Sequence, residues 1–377
     1  MKKLIFKKFL LDQGIFFLYV ALSVSLIVWV IQAVNFLDLV SEDGHSFIVY
    51  FKYTLLNLPK IFSKILPFIF FISLFYMIIK YENNNELIIF WTIGIKKIRF
   101  VNKILKLSFF YVLLQLILTS YIVPSSQDSA RSFIRSSNID FFPSLLRQKE
   151  FIDPVSGLTI FINKKNPDGT LENVFLKDNL TQEKSQIIFA KTGQIISDQD
   201  NKNYLVLFNG SFINNDSGKT TIFSFKKTEF NLSKYSTKTT TFPKVQEINT
   251  QILFLCIKDL IYKKKIIKEE YAKYFDCSYE NSNNMKQELF KRIIVPLYLP
   301  LLALVASFLI IRSKDHFYYQ RLQFILFTLG TIMIILSEIS VRYSSLSDKL
   351  SILFFTFPII IFSIFYLFLS TRLKILK

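Results

Sequence analysis

The chain has 377 residues, 51% of them hydrophobic, with a mean hydropathy of +0.36 and a formal charge of +18. Several runs reach the roughly 18 to 20 apolar residues a helix needs to cross a bilayer, which excludes a soluble globular protein and indicates an integral membrane protein with a polar insert. The charge is largely lysine in a chain also rich in isoleucine, phenylalanine and asparagine, and no aromatic-and-basic module accompanies it, so nucleic-acid binding is set aside.

The opening MKKLIFKKFLLDQG has the look of a signal peptide. The apolar run behind it, 15–37, is too long for one and ends at no small-residue cleavage site, so it reads as a retained first span. The second span is expected at 54–80, with Pro59 near its start and Pro67 inside. Then comes YENNNELIIFWTIGIKKIRF (81–100). Asn83 followed three residues later by Glu86 resembles a capping box that starts a short helix, and Gly94 supplies a left-handed stop. The expectation is an amphipathic helix over about 83–94 between two spans. A third span is expected at 101–123, closed by Pro124.

Residues 124–285 contain no run able to span. LTIFINK (158–164), ENVFLKD (172–178), SQIIFAKTGQII (185–196), NYLVLFNGSFI (203–213) and TTIFSFKKTEFNL (220–232) read as strands, separated by NPDG (166–169), DQDN (198–201) and NNDSG (214–218). This spacing suits a sandwich, jelly roll or open barrel. Its edge either pairs with another chain by strand addition or makes no such contact. Residues 250–276 read as a helix, with Leu253, Ile257, Leu260, Ile261 and Tyr262 near one face; it lies on the membrane surface or leads into the next span. Further spans are expected at 290–311, 322–341 and 351–371. Cys256 and Cys277 are too few for a disulfide framework or zinc site, and a single bridge would need their region outside the cytoplasm.

The short loops set the topology. Lys2, Lys3, Lys7 and Lys8, then Lys80, Lys96, Lys97, Arg99 and Lys103, then Arg312, Lys314 and Arg321, then Arg372, Lys374 and Lys377 fall on one side of a six-span arrangement. The positive-inside rule puts both termini in the cytoplasm and the insert outside, where its own lysines escape the rule. The divisions are therefore 1–123 with the first three spans, 124–285 as an extracytoplasmic β domain, and 286–377 with the last three.

No G-x-x-x-x-G-K-[ST], H-E-x-x-H, G-x-S-x-G or C-x-x-C pattern occurs, and His45 and His316 fall on opposite sides, so no enzyme site, metal or cofactor is indicated. Energy for any transport would come from a partner or a gradient.

The order of elements resembles the LptF/LptG permeases, also called the YjgP/YjgQ family. LPFIFFISLFYMIIKYENNNELIIFWTIGIKK, with Pro67, Glu86 and Gly94, is similar to the family's second span and coupling helix. ELFKRIIVPLYLPLLAL, with Glu288, Arg292 and Pro296, is similar to the E-x-x-x-R-x-x-x-P start of its fourth span, and ENVFLKD and IIFAKTGQI resemble its first jellyroll strands. SEISVRYSSLSDKL and the coupling segment look more like LptF than LptG. The resemblance implies a six-helix membrane protein with a periplasmic jellyroll-like domain between helices three and four. It would be a permease subunit of an ABC-type lipopolysaccharide exporter of the bacterial inner membrane, passing its substrate to a periplasmic bridge. Implied partners are a paralogous LptG-like subunit, an LptB-like ATPase dimer, a single-span LptC-like jellyroll protein and membrane lipids.

The resemblance also nominates residues. Glu86 would contact the ATPase, unless it serves only its helix cap, and Leu87, Phe90 and Trp91 fill a groove on that partner or pack against the chain's own spans. Arg342 matches a basic family position at the outer end of span five, with Glu338 one turn before it; the two contact substrate or merely pair with each other. Lys60 and Lys64, a turn apart at the outer end of span two, contact substrate or reach out to headgroups. The outer end of span one, QAVNFLDLVSEDGH (32–45), departs from the family in having no lysine or arginine. Rival readings are a lipoprotein-release or cell-division permease, which has four spans rather than six, a secondary transporter using Glu338, and a non-transporting scaffold that presents its β domain.

Overall fold

A computed structural model describes residues 2–41, 47–136, 148–155, 158–166, 169–179, 184–197, 203–216, 219–231, 244–261, 277, 281–345 and 347–375. Tyr262 with the rest of 262–276, most of the turns at 198–202 and 217–218, and Glu42, Asp43 and His45 lie outside these. Two compact units result: Met1–Ala33, Thr54–Arg131 and Phe242–Lys377 form one, and Val34–Tyr53 with Ser132–Thr241 the other.

The first unit is a helix bundle with six helices long and apolar enough to span a membrane. In chain order the described helices are α1 (Lys2–Asn35), α2 (Asp38–Ser41), α3 (Phe47–Leu56), α4 (Leu58–Asn83), α5 (Glu86–Thr92), α6 (Lys97–Ile117), α7 (Val123–Ser136), α8 (Thr250–Ile261), α9 (Ser282–Ser307), α10 (Tyr319–Tyr343) and α11 (Asp348–Ile375). The bundle is built around α9. Every residue from Leu301 to Ala306 is fully buried, because the second half of this helix is apolar on all sides and the helix packs against α4, α6, α10 and α11. By contrast α1 and α11 leave most of their apolar surface exposed, Leu18, Leu22, Leu26, Ile360 and Leu367 among it, which requires lipid or another protein beside them.

Pro124 does not close the third span. A π turn at Leu118–Ile122 follows α6, and the helix then continues through Pro124 to Ser136. Proline costs a helix its N–H and crowds the preceding turn; as the second residue of a segment that restarts after a π turn, it meets neither demand in full. The break in the second span, at Asn57, sits just before Pro59, which occupies the first turn of α4 where its missing donor is harmless.

Gly330 of α10 lets Phe71 of α4 come close. A methyl group there would lie 2.0 Å from Cζ of Phe71 in α4. Gly330→Ala is therefore expected to destabilise the bundle by about 1–3 kcal/mol, as overpacking does, seen as a lower thermal midpoint of the purified chain. Adding Phe71→Leu should restore part of it. An unchanged midpoint in the single variant would show that the ring moves aside freely.

In the second unit six strands form one antiparallel sheet in sequence order: β1 (Phe151–Val155), β2 (Leu158–Lys165), β3 (Thr170–Asn179), β4 (Lys184–Ser197), β5 (Asn203–Asp216) and β6 (Lys219–Asn231). The described strands make one meandering sheet rather than the two packed sheets of a sandwich or jelly roll, and β1 is an addition. Alternation decides the faces. Leu158, Ile160, Ile162, Leu176, Ile188 and Leu207 are buried together, while Phe161, Phe175 and Phe189, paired in register, form a row on the opposite face with Phe151. Asn173 and Asn209 adopt left-handed φ of 51° and 52°, tolerated by asparagine, and the ladder skips both. Of the helix expected over 250–276, the described part is α8, Thr250–Ile261; 262–276 lie outside the described residues.

The single bridge that the sequence left open is present: Cys256 and Cys277 are bonded, with Cα atoms 6.1 Å apart, inside the usual span for a disulfide. The signal was not in the spacing of the cysteines. It lies in packing, since both join Leu253, Ile257 and Met285 in one small apolar cluster.

Candidate functional site

Lys60 and Lys64 lie one turn apart at the start of α4, and Glu338 and Arg342 one turn apart at the end of α10. The bundle brings all four to the wall of one cavity of about 1040 Å³. Ser63, Gln115 and Thr119 add polar groups, and Val295, Ile334, Ile335 and Ile339 give an apolar side. Glu338 and Arg342 form no ion pair with each other among the described residues, so both remain available to the cavity.

Three cations that the sequence did not nominate for this site join it: Lys244 from the segment returning from the β unit, and Lys291 and Arg292 from the start of α9. With Glu288 and Glu338 as the carboxylates, the wall is predominantly cationic. The absence of basic residues at the outer end of the first span thus leaves no shortage of positive charge here. Gln115 is buried, donates from Nε2 to the Ser63 carbonyl at 2.9 Å, and leaves its Oε1 without a hydrogen-bond partner among the described residues.

Arg292 is committed to architecture. It is 1% exposed and spends its whole fork. Nε donates to Glu288 at 3.1 Å, NH1 to the Ile248 carbonyl at 2.9 Å and Thr250 Oγ1 at 2.8 Å, and NH2 to the Gln246 carbonyl at 3.1 Å. Thr250 in turn donates to the Ser120 carbonyl at the π turn, and Glu247 pairs with Arg131 at 3.0 Å. This network pins residues 246–250 to the start of α9, beside Lys244, Val245 and Gln246 on the cavity wall. A planar guanidinium is needed, since no ammonium reaches four acceptors in that fork.

At the far end of α4, roughly 30 Å from Lys64 at the helical rise, sits α5. Its expected capping box is corrected. Asn83 ends α4, Asn85 is the N-cap with a left-handed φ of 60°, and Glu86 is the first helical residue with no cap hydrogen bond. The reason is the tight reversal from α4, which asparagine tolerates. The stop at Gly94 is as anticipated: φ is 77°, Gly94 N–H donates to the Trp91 carbonyl and Ile95 N–H to that of Phe90, a Schellman closure.

Glu86 pairs with Lys8 of α1 at 3.3 Å. Leu87 and Phe90 are each 1% exposed and point inwards, Phe90 against Phe6 and Phe100, with Trp91 on the edge of the same cluster under Lys97. The outward residues are Ile88, Ile89 and Thr92. Glu82, also not nominated, is buried and accepts the Lys314 backbone N–H at 2.9 Å, while Lys314 Nζ reaches the Asn83 carbonyl. Thus α5 is tied to α1, and the end of α4 just before it to the loop between α9 and α10.

Against known families, the lipopolysaccharide export system permease LptF/LptG matches residues 4–372. Among curated proteins, an uncharacterized protein of Rickettsia prowazekii (strain Madrid E) is 27% identical over 176 residues, which is 47% of this chain and 49% of that protein. The match therefore spans about half the length of this relative.

Proposed function

From the premise that this chain belongs to the LptF/LptG lipopolysaccharide export permease family, we propose that it is a permease subunit of an ABC-type exporter that takes lipopolysaccharide from the inner membrane. Lipopolysaccharide carries anionic groups, sugar hydroxyls and acyl chains. The observation that carries the reading is the cavity where Lys60, Lys64, Glu338 and Arg342 meet an apolar wall. Lys60, Lys64 and Arg342 hold the acidic groups, and the isoleucine side takes acyl chains. The β unit, outside the cytoplasm, receives the substrate and hands it to a bridge of similar domains. The positive short loops support this orientation, as does the Cys256–Cys277 bond, which persists in oxidising compartments.

Hydrolysis is supplied by a separate ATPase dimer, which contacts α5. The buried state of Leu87 and Phe90 favours Glu86, Ile88 and Ile89 as the contact surface. Motion of α5 reaches α1 through Lys8 and Phe6, and the end of α4 next to it is held to the loop between α9 and α10 through Glu82 and Lys314. A paralogous permease and a single-span jellyroll protein complete the assembly.

Photocrosslinkers placed at Lys60, Lys64 and Arg342 in cells are expected to capture lipopolysaccharide. Capture of phospholipid or neighbouring subunits alone at all three positions would refute the assignment.

A further inference from the structure

A second cavity, of about 520 Å³, opens between the first turns of α1 and the start of α6. Phe6, Leu10 and Leu11 form its floor, and Lys3, Lys7, Arg99 and Lys103 its rim. Phe6 is buried, and Lys103 Nζ lies 5.9 Å from its ring centre; all four cations are exposed. No carboxylate lines the cavity, and none of the four is ion-paired among the described residues, although the adjacent Lys8 is. Both helices are long and apolar enough to span a membrane, and the groove lies at their lysine-rich ends, flanking the apolar stretches.

Four unpaired like charges around one rim repel each other and are relieved by an anion. A greasy floor directly beneath them gives a soluble anion nothing, but it suits an amphiphile whose acidic group and chain leave from one point. Basic pockets between spans at such a surface take acidic lipid headgroups. We propose that this groove holds an anionic glycerophospholipid, its phosphate among Lys3, Lys7, Arg99 and Lys103 and one acyl chain along Phe6, Leu10 and Leu11. Phe6 touches Phe90 at 5.4 Å and Lys8 holds Glu86, so the lipid braces the turn of α1 that grips α5. The site is at the opposite end of the bundle from the Lys60 cavity and does not depend on which substrate that cavity carries.

The test is native mass spectrometry of the full chain released from nanodiscs of phosphatidylcholine with or without phosphatidylglycerol. The parent chain should retain phosphatidylglycerol in preference to phosphatidylcholine. Lys→Gln and Arg→Gln changes at the four rim positions should weaken retention about fivefold per cation removed. Lys→Arg at 3, 7 and 103 should leave it intact. Leu11→Trp, which fills the groove and keeps every charge, should also release the lipid. The proposal is overturned by equal retention of the zwitterionic lipid, by unchanged retention in the four-fold Gln variant or in Leu11→Trp, or by loss in the Arg variant. Displacement by inorganic phosphate as readily as by added phosphatidylglycerol would also overturn it, marking a simple anion site.

Discussion

Replacing Arg292 by leucine is expected to cost the bundle about 3–5 kcal/mol, the usual penalty for breaking a buried ion pair from one side. The substitution leaves the Glu288 carboxylate with only the exposed Lys291 at 3.5 Å and strips donors from the carbonyls of Gln246 and Ile248. The readout is thermal unfolding of the purified chain in detergent, together with proteolysis of the segment around 244–250, which should become susceptible. Arg292→Lys should fall between, since an ammonium keeps the charge but not the fork. Glu288→Leu added to Arg292→Leu should recover part of the loss, because no uncompensated carboxylate then remains. If Arg292→Leu melts like the parent chain, the network does not hold this segment.

Glu86→Arg is expected to abolish most transport while sparing the fold. The Lys8 pair is too exposed to contribute more than about 1 kcal/mol to stability. A charge-assisted contact to an ATPase is worth about 1.5–3 kcal/mol, on the order of ten- to a hundredfold in a rate that depends on it. Lys8→Ala separates the two roles. If Glu86 works through the ATPase, Lys8→Ala is much milder than Glu86→Arg; if it works only through α1, Glu86→Ala and Lys8→Ala match. Lipopolysaccharide delivery, ATPase co-purification and ATP hydrolysis should be measured on the same membranes. Normal delivery in Glu86→Arg would remove this residue from the mechanism.

The six spans and the strands were legible because their signals are local: unbroken apolar runs for α1, α4 and α9, and strict alternation in LTIFINK. The hydrophobic stretch of α5 was equally plain, yet its inward face was not. Leu87 and Phe90 face Phe6 and Phe100, from α1 and α6, and sequence separation hides such contacts. The same holds for the cavity. Lys60 and Arg342 stood out on span ends, whereas Lys244 and Lys291 resembled ordinary lysines until the return segment folded back onto α9. Glu82 was overshadowed by Glu86 because its partner is a backbone N–H 232 positions away. The misread stop at Pro124 has a different origin. A proline rule that assumes a regular helix fails where a π turn has already widened the preceding turn.

The neighbour-by-neighbour order of the sheet has a consequence for how this unit is made. Each strand from β2 to β6 pairs with the one just synthesised, across connections of a few residues. Loop closure is therefore cheap at every step, and the contact order among the strands is low for an all-β domain. The ladder can be laid down one rung at a time as the polypeptide is synthesised. Assembly of this unit then has no need to wait for the last three helices to be synthesised.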